Sequence, residues 1–184
     1  MKRMLLALSM TWVLLLASAA TNAEETQSRE AAKKDAESAL RVTESLEKDP
    51  FRSDADADRE WLMSWVIETP DYMVKMCDVL GPIPGDAQVP NGRELLLQHM
   101  FGNVSWQIRN PGKSDIVALQ VAAMESLLKV YAAFIAKDDQ AHVDYFDGLL
   151  EQQRQGTLAK HLAPLVKERC TDQDEESKAT RENT

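Results

Sequence analysis

Residues 114–137 read SDIVALQVAAMESLLKVYAAFIAK, and this stretch decides the fold. Its residues Ile116, Leu119, Ala123, Leu127, Tyr131, Phe134 and Ile135 recur at the intervals that gather side chains on one face of an α-helix. Ser114 and Asp115 stand where a cap belongs, and Asn110, Pro111 and Gly112 before them form a turn. The pattern predicts a long core helix ending at Lys137.

Working outward, Val143, Phe146, Leu149 and Leu150 mark a shorter helix that stops at Gly156. Thr157 opens a last one with Leu158, Leu162, Leu165 and Val166 inside, kinked or interrupted at Pro164 and closed by Cys170. Upstream, Asn91 and Glu94 have the spacing of a capping box for a helix bearing Leu96, Met100, Phe101, Val104 and Ile108. Residues 81–92, rich in proline and glycine, form the longest loop. Pro70 after Thr69 restarts a short helix to Leu80, with Met73, Val74, Cys77 and Leu80 on one side and Gly81 as its stop. Ser53 caps the helix before it, whose Trp61, Leu62, Trp65 and Val66 make a broad face expected in the core. Residues 26–48 carry only a thin stripe of Ala32, Ala36, Leu40 and Thr43, ending at Asp49 and Pro50.

Nothing alternates as a strand would, so the expected class is all-α: an irregular single-domain bundle of about six or seven helices. The expected layout is a signal over residues 1–23, a loosely packed N-terminal helix over 24–50, a helical domain over 51–170 and a disordered acidic tail over 171–184. The segment from Ser64 to Pro70 echoes that from Ser105 to Pro111, a Trp before a proline stop in each, which leaves a degenerate two-copy repeat open.

Lys2 and Arg3 precede a run from Met4 to Ala20 that is apolar except for Ser9, Thr11 and Ser18, the pattern of a secretory signal. Small residues permit cleavage after Ala19, Ala20 or Ala23, the last being preferred, and no cysteine adjoins these positions to accept a lipid anchor. Removing 23 of the 184 residues leaves 161 and takes the net charge from −9 to −11, since the segment holds Lys2 and Arg3 and no acid. Such a balance disfavours phosphate-rich nucleic acid and anionic membrane surfaces. The expected location is the periplasm, with secretion as the alternative.

Export places Cys77 and Cys170 in an oxidising compartment, where one intramolecular pairing is available to them. The loop so closed spans 94 residues counting both ends. In the chain-entropy model that closure contributes roughly 4 to 5 kcal/mol.

Candidate chemistry has a structural explanation at each point. Asp54, Asp56 and Asp58 open like a calcium loop, but Arg59 and Trp65 replace the required glycine and glutamate, and acids at a helix N-terminus explain the run. Met73, Met76 and Cys77, with His99 and Met100 elsewhere, are soft donors suited to Cu(I), yet periodicity gives Met73 and Cys77 a role in filling core, where methionine is a common gap-filler. His99, His142 and His161 are dispersed, with His161 placed at the edge of its helix's inner face, and no nucleophile elbow accompanies them. Asn103-Val104-Ser105 matches a glycosylation sequon within a helix that looks buried. No metal or cofactor is therefore expected. The expectation is a non-enzymatic protein that binds a protein or peptide partner, with Trp106 and Met63, which lie off the main apolar lines, as contact anchors. The alternative is a cell-envelope hydrolase with an Asp or Glu acid/base, whose signature is a cleft with two carboxylates about 5 to 10 Å apart.

Overall fold

Six α-helices make up the fold, and no strand occurs among the described residues. The computed structural model describes the backbone of residues 10–83 and 89–170 and the side chains of 27–83 and 89–170. The charged start of the signal, Pro84, Gly85 and the tail from Thr171 lie outside the described residues, and of the cleavage positions Ala19, Ala20 and Ala23 only the backbone is described. The helices are α1 (Met10–Lys48), α2 (Ala55–Glu68), α3 (Gly92–Arg109), α4 (Ile116–Lys137), α5 (Asp144–Arg154) and α6 (Leu158–Arg169), with a 3-10 turn at Asp139–Ala141. The chain forms two compact units, residues 1–38 and 39–184. The first contributes the N-terminal part of α1, and the second is a bundle built on α4.

The capping of α4 follows the sequence: the Asp115 carboxylate accepts from the Ala118 amide at 3.0 Å, and Lys137 is the last residue. Because α4 is apolar almost all round, it can be covered on every side. Met124, Leu127, Leu128, Tyr131 and Phe134 join Phe146, Leu149, Leu162 and Val166 in the larger core. Its closest neighbour is α3, where Gly102 lies so near that a Cβ there would stand 2.5 Å from Ser126 Cβ and 3.1 Å from Ala123 Cα. A second core joins Ala39 and Leu46 of α1 to Leu62 and Val66 of α2 and Leu97, Phe101 and Val104 of α3. Leu40 is only half-buried, so the line of α1 that enters this unit is Ala39, Thr43 and Leu46 rather than one through Leu40. Asp49 closes α1 as expected, its carboxylate accepting from the Phe51 amide at 3.0 Å.

Several local expectations are corrected. Asp54, not Ser53, stands at the start of α2, and neither it nor Asn91 makes a side-chain cap bond. Asn91 adopts the left-handed conformation (φ 55°), which turns its side chain away from the capping geometry. α6 runs through Pro164 without interruption, and His161 is exposed rather than at an inner edge. Residues 69–80 form no helix. A segment this short gains little from helical bonds alone, and its backbone finds stronger partners elsewhere.

Candidate functional site

Residues 69–80 form an irregular strap between α2 and the loop that precedes α3. Its start is set by Thr69, whose amide donates to the Trp65 carbonyl at 2.9 Å and ends α2 before Pro70. The strap is then held by carboxamides. Asn103 Nδ2 donates to the Lys75 carbonyl at 2.8 Å while its Oδ1 accepts from the Lys75 amide at 3.3 Å. One turn on, Gln107 Nε2 donates to the Met73 carbonyl at 2.8 Å and its Oε1 accepts from the Met73 amide at 3.4 Å. Gln120 of α4 adds a second donor to the Lys75 carbonyl at 2.6 Å.

These bonds mimic the edge of a sheet, because two carboxamides spaced one helical turn apart meet alternate residues of an extended chain. Asn103 is fully enclosed and its carboxamide is committed to this clamp, which accounts for the sequon without a glycan. The far end of the strap is fixed by the Cys77–Cys170 disulfide, with Cα atoms 5.2 Å apart. Tyr145 Oη donates to the Val79 carbonyl at 2.6 Å, and Arg169 Nη1 donates to the Asp78 carbonyl at 2.8 Å.

Beside this strap, large apolar side chains reach the surface. Among the described residues the exposed large apolar side chains are Phe51, Trp61, Ile67 and Met73, so three of the four belong to α2 and the strap. Trp61 is therefore not core: Leu62 and Val66 point inward, and Trp61 keeps 40% of its surface in water. At about 100° per residue, Glu60, Ser64 and Glu68 form the outer ridge of α2, with Trp61 on one flank and Ile67 on the other. Trp61 lies nearly parallel to Trp65, with centroids 6.5 Å apart, and Trp65 meets Tyr72 of the strap at 5.9 Å. Met73, expected on an inner helix face, is 67% exposed because no helix forms to turn it inward. Trp106 and Met63 are both half-buried, Met63 against the second core. Met63 adjoins the Ile67 flank of α2, and Trp106 lies on α3, its carbonyl accepting from Asn110 Nδ2 at 2.9 Å.

The remaining candidates are separated or spoken for. Arg52 binds Asp54 and Asp58, and Arg59, itself buried, binds Asp56 at 2.8 Å and the Pro50 carbonyl at 2.8 Å. Those aspartates thus have organic cations as partners. Cys77 is oxidised, Met73 faces water and His99 is fully enclosed, so the soft donors do not share an environment. Burial pushes the His99 imidazole down to about 4, outweighing a raising contribution from Gln120, and neither ring nitrogen has a hydrogen-bond partner.

His142 does find a carboxylate. Its Nδ1 lies 2.9 and 3.0 Å from the two Asp147 oxygens, and Tyr131 Oη donates to Asp147 Oδ1 at 2.6 Å. Burial and this bond push the Tyr131 phenol up to about 12. An adjoining recess of about 500 Å³ is lined by Pro82, Val89, Pro90, His142, Val143, Asp144 and Tyr145. A second recess, of about 380 Å³, is lined by Phe51, Asn91, Phe134, Lys137 and Asp138. Among the described residues each carries a single lining carboxylate, Asp144 in the first and Asp138 in the second.

The exposed face has one signal in the sequence, Ile67 standing out of phase with Leu62 and Val66. The clamp has one as well, in the carboxamides Asn103 and Gln107 spaced four apart on α3. No protein-family model, curated protein or solved structure matches the chain.

Proposed function

We propose that this is an exported protein that acts by binding a protein partner through the outer face of α2 and the strap. The observation that carries the reading is the placement in water of Trp61 and Ile67 on α2 and of Met73 on the adjoining strap, whose backbone is held by Asn103, Gln107 and the disulfide. Large apolar side chains on a rigid base lose little entropy on contact, and tryptophan is favoured at contact centres. Export is supported by the signal-like pattern of residues 1–23 and by a disulfide, which persists in an oxidising compartment. The periplasm is the preferred location, and secretion the alternative.

The test is a photoreactive residue placed at position 61 or 67, with exposed Lys160 on α6 as the control position. A discrete adduct from the first two positions and none from the third is the expected result. Identical adducts from all three, or none from any, overturn the reading. Fractionation of the same cells checks compartment.

A hydrolase is the second reading, and the His142–Asp147 pair beside the recess is the observation that favours it. It ranks below binding because, among the described residues, the recess is lined by no serine, threonine or cysteine and by one carboxylate, Asp144, and its one hydroxyl, Tyr145 Oη, is bonded to the Val79 carbonyl.

A further inference from the structure

The distribution of charge around the exposed aromatic face narrows the kind of partner, an inference that rests on the binding reading above. Residues 54–71 contain Asp54, Asp56, Asp58, Glu60, Glu68 and Asp71 but only one basic residue, Arg59. Arg59 is turned inward onto Asp56 and the Pro50 carbonyl, and Arg52 is taken up by Asp54 and Asp58. Glu60, Glu68 and Asp71 are left with no ion-pair partner among the described residues, and all three are exposed. The nearest basic group on the strap is the exposed Lys75, and Arg109 of α3 is paired with Glu44 at 2.7 Å. Asp71 also adds to burial in raising the Tyr72 phenol, so its negative field reaches the ring that ends the stack.

A neutral apolar partner laid on this face has to cover Glu60 and Glu68 between Trp61 and Ile67, stripping water from carboxylates with nothing in return. A long cationic side chain avoids that penalty. Its charge meets the carboxylates, its stem covers apolar surface, and a planar guanidinium fits the outward face of an indole, whose quadrupole is negative. Arginine satisfies all three terms, and lysine only the first two.

We infer that the face formed by Trp61, Trp65, Tyr72, Glu60, Glu68 and Asp71 docks an arginine-bearing segment of a partner protein. Trp61 supplies the stacking surface, Glu60 beside it pairs with the guanidinium, Glu68 about 12 Å along α2 adds its negative field for further positive charge on the segment, and Ile67 and Met73 receive the flanking apolar residues.

The experiment is selection of displayed random 12-residue peptides on the purified protein at physiological salt, run in parallel on Trp61→Ala and on the double variant Glu60→Lys/Glu68→Lys. Enrichment of arginine-containing peptides on the parent, lost on both variants, is the expected result. A selected peptide resynthesised with citrulline for arginine should bind at least about fivefold more weakly, as should the parent peptide on Trp61→Ala. Unchanged thermal unfolding of both variants separates a lost site from a lost fold, and Trp61→Phe, which keeps an aromatic face, should retain part of the affinity. Enrichment of neutral or acidic peptides that depends on Trp61 overturns the arginine assignment and leaves a docking face of different chemistry. Equal binding by the citrulline peptide overturns it in the same way. Absence of any selection dependent on Trp61 or the two glutamates overturns it outright, and the cross-linking at positions 61 and 67 then decides separately whether the face docks a partner at all.

Discussion

Asn103 of α3 bonds both the amide and the carbonyl of Lys75, so one enclosed side chain fixes the backbone of a segment 28 residues away. Replacing it with leucine keeps the volume and removes both bonds, leaving the Lys75 amide without its acceptor and the Lys75 carbonyl with Gln120 as its donor. Asn103→Leu should cost about 2 kcal/mol. Amide hydrogen exchange localises the effect: Met73 and Lys75 should lose protection while the middle of α4 keeps it. Uniform loss across α4 would show that the strap and the bundle open as one unit.

Two glycines should respond to alanine with opposite sign. At Gly102 the new methyl meets Ser126 Cβ and the Ala123 backbone, so α3 and α4 must part, and Gly102→Ala should destabilise by about 1 to 3 kcal/mol. At Gly148 on α5 nothing lies within 4 Å, and Gly148→Ala should stabilise by roughly 0.5 to 1 kcal/mol through helix propensity. Denaturant unfolding of both variants checks the pair.

The Cys77–Cys170 bond ties the strap to the end of α6 across 93 positions of sequence. Reduction, or the double variant Cys77→Ser/Cys170→Ser, should cost roughly 4 to 5 kcal/mol in the chain-entropy model. Thiol titration of the unreduced, denatured protein should find no free thiol. Two free thiols would contradict the bond.

His99 should make the protein sensitive to acid. Its folded imidazole takes up a proton at about 4, below the ordinary 6.5, because burial penalises the charged form. The unfolded chain therefore binds a proton first as pH falls, and the contribution of the neutral ring is complete above 6.5 and lost on the way down to about 4. The loss amounts to about 3 kcal/mol, and His99→Leu should flatten the stability profile over that window. A wild-type profile with no slope between pH 6.5 and 4 would refute this assignment.

Trp61 and Trp65 separate exposure from packing. Trp65 stacks between Trp61 and Tyr72 and is half-buried, so Trp65→Ala should lower stability by about 1 to 3 kcal/mol, whereas Trp61→Ala should change it by less than about 1 kcal/mol. Thermal melting of the two variants gives the comparison.

What the sequence determined by itself is the helical class and the elements whose signals are local and redundant. In α4 the periodicity, the Asp115 cap and the Lys137 end agree, and an element so consistent folds the same way in any context. The pairing of Cys77 with Cys170 was legible for a different reason, that two cysteines leave one partner each. The tertiary structure decided the strap and with it the candidate site. Residues 70–80 carry a pattern compatible with a short helix, but local bonds over so few residues are weak, and Asn103, Gln107 and Gln120 offer the same backbone groups partners fixed by two packed helices. The exposure of Trp61 was settled in the same way. Helical spacing fixes which residues share a face of α2, but only the position of α3 and α1 fixes that Leu62 and Val66 are covered and that the face of Trp61 is left to water.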